Sequence, residues 1–245
     1  MKLRVTSPAK KLLILAATVL LVASGGLLSP ASARTTTLSW QGYQWVPRTA
    51  PGNPGAPQQW SAGNVSIDAA GRLHLAVKRD KKGHYTQAEL DSVRNGWGYG
   101  TYRWQVDTDA SGLAPEVVLG LFTYGRDAAY GHREIDIEAS GWGTTPITWD
   151  YTTWANGHDA VARTPAPAGP TTQEIDWAPG RITWTTYDAS GSVFATATAT
   201  GADVPVPLDE SIGINLWLCG CENGWNQTPA TEVVISGFDF TPAAA

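Results

Sequence analysis

The chain reads as an all-β protein, a jelly-roll sandwich of two curved antiparallel sheets, on three observations. Short alternating or continuously apolar segments follow one another along most of its length. Gly-rich and Pro-rich turns separate them, and no stretch carries the 3.6-residue apolar period of an amphipathic helix. Many short strands at regular spacing fold as a sandwich or barrel.

The elements follow in order. Residues 1–33 stand apart: Lys2, Arg4, Lys10 and Lys11 precede an apolar run from Leu12 to Val22, and Ala31-Ser32-Ala33 forms a small-x-small cleavage site. That is the pattern of a secretory signal peptide; the alternative is an uncleaved anchor, for which the apolar run is short. Residues 34–245 are expected to form a single β domain, with no linker or repeat marking a second. Asn64 to Ile67 and Arg72 to Lys78 flank a turn at Asp68 to Gly71, as a hairpin. Tyr99 to Asp107 alternates after the GWGYG turn, and Val117 to Tyr124 is apolar enough for a buried central strand. Strands are expected next at Glu134 to Glu138, Thr145 to Thr153, Thr172 to Trp177 and Arg181 to Tyr187. Val193 to Thr200, Ser211 to Leu218 and Thr231 to Phe240 complete the series. Turns are expected at Ala50 to Pro57, Thr164 to Pro170 and Gly201 to Pro207.

Composition narrows the partners. Without residues 1–33, 13 Lys and Arg face 22 Asp and Glu, a net charge of −9. Such a surface disfavours nucleic acid and anionic lipid and suits a neutral substrate. All twelve tryptophans follow residue 33. Several must fill the core, while those near turns and glycines are placed to stack on the C–H face of a pyranose. Cys219 and Cys221, one residue apart, point to the same side of an extended segment, as a strained disulfide or as two thiols.

The sharpest local signal is EIDIE, in which Glu134, Asp136 and Glu138 alternate with Ile135 and Ile137. On a strand the three carboxyls share one face. Acids two residues apart lie roughly 7 Å apart and repel by about 0.6 kcal/mol in water, or about 2.4 kcal/mol at an effective dielectric of 20. Arg133 offers no relief, because its odd position points it to the other face. The plain alternative is a wet strand face that tolerates acids; cross-strand bases usually accompany such a face. Glycoside hydrolysis gives the crowding a use, since it needs one carboxyl kept protonated and one ionised. Glu134 and Glu138 have Cα atoms about 13 Å apart on an extended strand, so their side chains must lean together. Asp136 between them can hold a proton or a charge that raises its neighbours. A metal site with His132 as a further ligand is the competing chemistry, and residues spaced by two along a strand diverge too far to surround an ion well.

EIDIE also resembles the active-site strand of glycoside hydrolase family 16, whose bacterial lichenases and laminarinases are concanavalin-like jelly-roll endoglucanases. GYGTYRWQVD at Gly98 to Asp107, LFTYG at Leu121 to Gly125 and ITWDYTTWANGH at Ile147 to His158 are similar to family strands in the same order. So are EIDWAPGRITWTTYD at Glu174 to Asp188 and INLW at Ile214 to Trp217, and Trp217 and Trp225 keep the spacing of two family cleft aromatics. The resemblance implies that Glu134 is the nucleophile, Asp136 an assisting carboxylate and Glu138 the acid/base. It implies substrate contacts from His132, Arg103, Tyr124, Asp150, Asn215, Trp217 and Trp225. The reaction needs no cofactor; Asp239 falls where one ligand of a structural calcium is expected.

Three departures bear on specificity. The family's Glu-x-Arg is read here as Arg103-Trp104-Gln105, the lichenase aromatic before the nucleophile is His132, and an Asn on the following strand is Asp150. The expectation is therefore a secreted, monomeric, retaining endo-glycosidase of a neutral β-glucan, β-1,3 or mixed β-1,3-1,4. The alternatives are a transglycosylase with the same acids and a catalytically silent glucan-binding module.

Overall fold

Alternate residues of nearly every strand turn into one shared apolar layer, and this pairing of faces is what makes the fold a sandwich. The computed structural model describes residues 36–51, 59–221 and 228–244. Among them the strands are β1 (Leu38–Trp40), β2 (Tyr43–Pro47), β3 (Ala50–Pro51), β4 (Gln59–Trp60), β5 (Val65–Ile67), β6 (Leu73–Arg79) and β7 (Tyr85–Ser92). They continue as β8 (Gly100–Val106), β9 (Val117–Tyr124), β10 (Ile135–Ser140), β11 (Thr148–Thr153) and β12 (Asp159–Pro165). The last five are β13 (Thr171–Ala178), β14 (Arg181–Tyr187), β15 (Val193–Thr200), β16 (Ser211–Leu218) and β17 (Thr231–Pro242).

Antiparallel pairing arranges one sheet as β1-β2-β7-β16-β9-β10-β11-β12. The other runs β5-β6-β17-β8-β13-β14-β15. The two join at one edge, where β6 and β7 pair through Lys78 with Thr86 and Arg79 with Tyr85. This is the expected all-β jelly roll. Six of the thirteen neighbour pairings within the two sheets join strands distant in sequence, as in a Greek-key sandwich.

Between the sheets lies a core of Leu73, Leu75, Leu90, Leu119, Leu121, Ile135, Ile137, Ile175, Ile214 and Ile235, with large aromatics among them. Trp45, Trp60, Trp104, Trp149, Trp177 and Trp184 are less than 2% exposed, and Trp40 and Trp97 are also buried. Most of the described tryptophans therefore serve packing, each contributing on the order of 2–3 kcal/mol by burial. Cys219 and Cys221, just after β16, form a disulfide.

Six strands have no counterpart in the sequence expectation: β1 to β4, β7 and β12. β7 was not expected, because Gln87, Glu89 and Asp91 occupy the face opposite Ala88 and Leu90, and polar residues there hide the alternation. It is nonetheless central, holding β2 on one side and β16 on the other. The Pro-rich stretch expected to begin a turn at Thr164 instead continues β12 through Pro165, an edge strand where a missing N–H costs nothing. Of the expected Ala50 to Pro57 turn, Ala50–Pro51 form β3 instead, and residues 52–57 lie outside the described residues.

Candidate active site

The acid strand is β10, the sixth in its sheet, and its alternation places Ile135, Ile137 and Ala139 in the core at 0% exposure. Glu134, Asp136 and Glu138 consequently stand together on the outer face of that sheet. The turn before them is tight: Tyr130, Gly131, His132 and Arg133 all have φ between +50° and +62°. It carries Arg133 away from the acids. Its Nε donates to the Val206 carbonyl at 2.9 Å, and Nη1 lies 3.6 Å from Asp209. The base next to the triplet in sequence leaves the triplet unneutralised.

The register draws two rows of side chains across the sheet. Glu138 pairs with Asp150 on β11, which pairs with Arg163 on β12; on the other side Glu138 faces Gly120, then Asn215 and Glu89. Asp136 pairs with Thr152 and then Ala160; on its other side come Phe122, Gly213 and Asp91. The glycines admit their neighbours' side chains. A Cβ at Gly120 would lie 2.5 Å from Asn215 Oδ1, and one at Gly213 would run into the Phe122 ring.

A groove of about 620 Å³ lies over the acids, walled by Trp142, Trp154, Trp217, His158, Ala160, Ala162 and Arg163. A second hollow of about 570 Å³ opens on the other side of Glu134, between Arg48, Glu89, Asp91, Tyr124, Arg126 and Asn215. The two meet at Glu134. One half is aromatic and the other polar and charged, so a bound chain would cross the sheet with the acids at its middle.

Burial raises all three acids. It pushes the Glu134 carboxyl up to about 7. Glu138 rises to about 8, first through burial and then through the charges of Glu134 and Asp150. Asp136 is raised well above its ordinary range by burial and by both glutamates, while the Trp154 indole N–H, donating at 2.8 Å, pulls the other way. Carboxyls this poorly hydrated and this close cannot all ionise at neutral pH. The arrangement can therefore hold a proton on one carboxyl and a charge on another.

Asp150 is held differently. Its Oδ1 accepts from Thr148 Oγ1 at 2.7 Å and Arg163 Nε at 2.9 Å; its Oδ2 accepts from Trp142 Nε1 at 2.7 Å and Arg163 Nη2 at 2.6 Å. Four donors fill its acceptor positions, which leaves none for a sugar hydroxyl. Asp150 lines the groove without being free to bind in it.

The other residues marked by resemblance divide. Tyr124 and Asn215 line the polar half and Trp217 the aromatic half. The side-chain oxygen of Asn215 is buried without a hydrogen-bond partner among the described residues. His132 lines neither half. It stacks flat on Tyr124, with ring centroids 4.9 Å apart, and its Nδ1 lies 3.0 Å from the Gly125 carbonyl, so it backs a groove residue. Arg103 is a correction: it sits on β8 in the opposite sheet, paired with Glu174 at 3.2 Å and lying over Tyr187. The Gly98-Tyr99-Gly100 turn leads into that outer strand, and the charged pair in the groove precedes the turn, at Glu89 and Asp91.

Trp225 lies outside the described residues. Asp239, on β17 of the outer sheet, is directly opposite Arg103 and lies 3.5 Å from Gln105 Nε2. Among the described residues no three His, Cys, Asp or Glu side chains are grouped to hold a metal ion.

Sequence reasoning missed Trp142, Trp154, Arg48, Glu89, Asp91 and Arg163. Signals existed for some of them. Trp142 lies in SGWG and Trp154 in TTWANG, the turn-and-glycine setting in which an indole stays out of the core. Glu89-Leu90-Asp91 repeats in miniature the acid alternation of EIDIE. Arg163, by contrast, is found only from the register.

A sandwich with a sheet-crossing groove, aromatic walls and buried carboxyls of raised pKa defines a protein of the glycoside hydrolase class. The chain belongs to glycosyl hydrolases family 16, whose model matches residues 53–234. A search of curated sequences returns no significant match. Among solved structures it is similar to a β-glucanase of Bacillus licheniformis, at 24% identity and a TM-score of 0.63, covering 81% of this chain and 92% of that one. It is similar also to a laminarinase from Flavobacterium sp. UMI-01, at 17% identity and 0.63, covering 80% and 92%. A third is described as an immunostimulatory antigen and pseudo β-1,3-glucanase of Mycobacterium tuberculosis, at 20% identity and 0.57, covering 78% and 88%.

Proposed function

We propose that the protein is a secreted, retaining, endo-acting glycoside hydrolase that cleaves a neutral β-glucan, β-1,3 or mixed β-1,3-1,4. The observation that carries the reading is the carboxyl row Glu134, Asp136 and Glu138 in a groove that continues on both sides of it. Hollows on both sides of the acids leave room for sugars on each side of an internal bond of a polymer. Its indoles suit neutral pyranose faces. The β-glucan class comes from the solved structures it is similar to, a β-glucanase and a laminarinase.

In the first step the Glu138 carboxyl gives its proton to the glycosidic oxygen while the Glu134 carboxylate attacks the anomeric carbon. The bond to the leaving sugar breaks, and a glycosyl ester on Glu134 forms. Glu138, now ionised, takes a proton from water. The hydroxide formed attacks the same carbon and frees Glu134, with the anomeric configuration restored after two inversions. Asp136, held by the Trp154 indole, keeps its proton or charge between the two glutamates and sustains their separation in pKa. No cofactor enters these steps. Residues 1–33 are assigned to export and removed after Ala33, leaving a single soluble domain that acts as an extracellular monomer.

One second reading has an observation in its favour. A structural neighbour is described as a pseudo β-1,3-glucanase, which fits a glucan-binding protein on this fold. The complete set of three acids weighs for catalysis here. Reducing-sugar release from lichenan, laminarin, xyloglucan, agarose and carrageenan separates the readings, with Glu134→Gln and Glu138→Gln run alongside. Hydrolysis predicts that both variants lose activity by orders of magnitude. Glucan binding without release from any of the five supports the silent module, and transfer to added sugar in place of water supports a transglycosylase.

A further inference from the structure

We infer that the Asp150–Arg163 ion pair is a positioning device for Glu138, a local charge and countercharge that set how firmly this carboxyl keeps its proton. The inference rests on the reading of Glu138 as the acid/base. Its basis is the register. Glu138, Asp150 and Arg163 are directly opposite one another on three adjacent strands, so their side chains project as one row from the same face. Asp150 cannot serve the sugar, because both its oxygens are already occupied by Thr148, Trp142 and the two-pronged Arg163 contact. What it retains is charge. Its side chain is 10% exposed, whereas that of Arg163 is 60% exposed. The negative end of the pair is thus the desolvated one and lies next to Glu138, while the positive end sits one strand further away and is better screened.

Among the described residues, the remaining surroundings of Glu138 offer no competing cation. Its own strand contributes Glu134 and Asp136, β9 contributes Gly120, and beyond Gly120 come Asn215 and Glu89, the last already paired with Arg48. His158 lies in the same groove half. Among the described residues of that side Arg163 is the cation nearest in register, one strand beyond Asp150. A carboxylate beside Glu138 opposes its ionisation, and the guanidinium moderates that effect.

Two single substitutions should then move Glu138 in opposite directions. Asp150→Asn removes the adjacent charge and leaves Arg163 unpaired, so Glu138 should ionise at lower pH, by on the order of one unit. Arg163→Gln removes the countercharge and should move it to higher pH by a smaller amount. Arg163 is exposed, so Arg163→Gln should fold even if Asp150→Asn does not.

The measurement is a ¹³C NMR titration of Glu-labelled protein, in which the Glu138 carboxyl resonance is identified by its loss in Glu138→Gln. The alkaline limb of kcat/KM on the best glucan is read beside it. Opposite shifts support the inference. Shifts of the same sign, or none above about 0.2 unit in either variant, overturn it. The NMR titration does not depend on turnover. A chain without hydrolytic activity would sink the acid/base reading, while the two shifts would still decide whether the pair governs Glu138.

Discussion

Replacing Glu138 by Gln should stabilise the protein at alkaline pH while abolishing its activity. Glu138 is raised from an ordinary value of 4.5 to about 8, mainly by burial and then by Glu134 and Asp150. It binds its proton more tightly in the folded than in the unfolded chain. Its contribution therefore favours folding fully below about pH 4.5 and is lost as pH climbs towards 8. A shift of that size caps the effect at about 5 kcal/mol, since each unit is worth about 1.36 kcal/mol. Glutamine keeps the shape and cannot ionise, so the variant escapes the loss. For a domain of this length about 1 kcal/mol moves Tm by about 2–4 °C, so a gain of several degrees is expected at pH 8. At pH 4 both side chains are neutral and the two proteins should melt together. The assay is differential scanning calorimetry from pH 4 to 8. A Tm gap that stays constant across that range, or that closes as pH rises, would refute the reasoning.

Other outcomes follow from the same geometry. Trp154→Phe keeps an aromatic wall but removes the N–H that Asp136 accepts; kcat should fall by about two- to tenfold, because a hydrogen bond is worth about 0.5–1.5 kcal/mol. If Trp217 stacks on the sugar, Trp217→Ala should raise KM about tenfold with a smaller change in kcat, since it walls the groove 6.1 Å from Trp142. Arg103→Ala should leave kcat/KM at the parent value and cost less than about 1 kcal/mol of stability in urea melts. Its ion pair is partly exposed, at the Arg103 end, and lies on the far sheet.

Where one face of a strand is apolar and the other polar, the sequence announces both strand and face. β14, β15 and β16 have the boundaries their patterns predict, and β9 those of its continuous apolar run. EIDIE is legible for the same reason: isoleucines need the core, so the acids must share the other face. β7 is hidden because its groove face is lined with Gln87, Glu89 and Asp91, buried or half-buried polar residues that look from sequence like a loop. Arg103 was misplaced because motif likeness fixes order along the chain and not which sheet a strand joins. Asp150 lines the groove, but its oxygens are occupied in part by Arg163, thirteen residues away and set opposite it only by the β11–β12 pairing. Tryptophans follow a simple rule with two exceptions. Those in turns wall the groove and those in strands fill the core, except that Trp97 is buried beside its glycines and Trp217 faces the groove from within a strand.

The central claim is that Glu134 forms a covalent glycosyl ester, and the most direct measurement is to trap it. A 2-deoxy-2-fluoro gluco-oligosaccharide with a dinitrophenyl leaving group slows the second step more than the first, so the ester should accumulate. Intact-mass spectrometry should then show one added glycosyl unit, and peptide mapping should place it on Glu134. A protein that releases sugar from its best glucan yet yields no adduct, or carries the adduct on Glu138, would contradict the account.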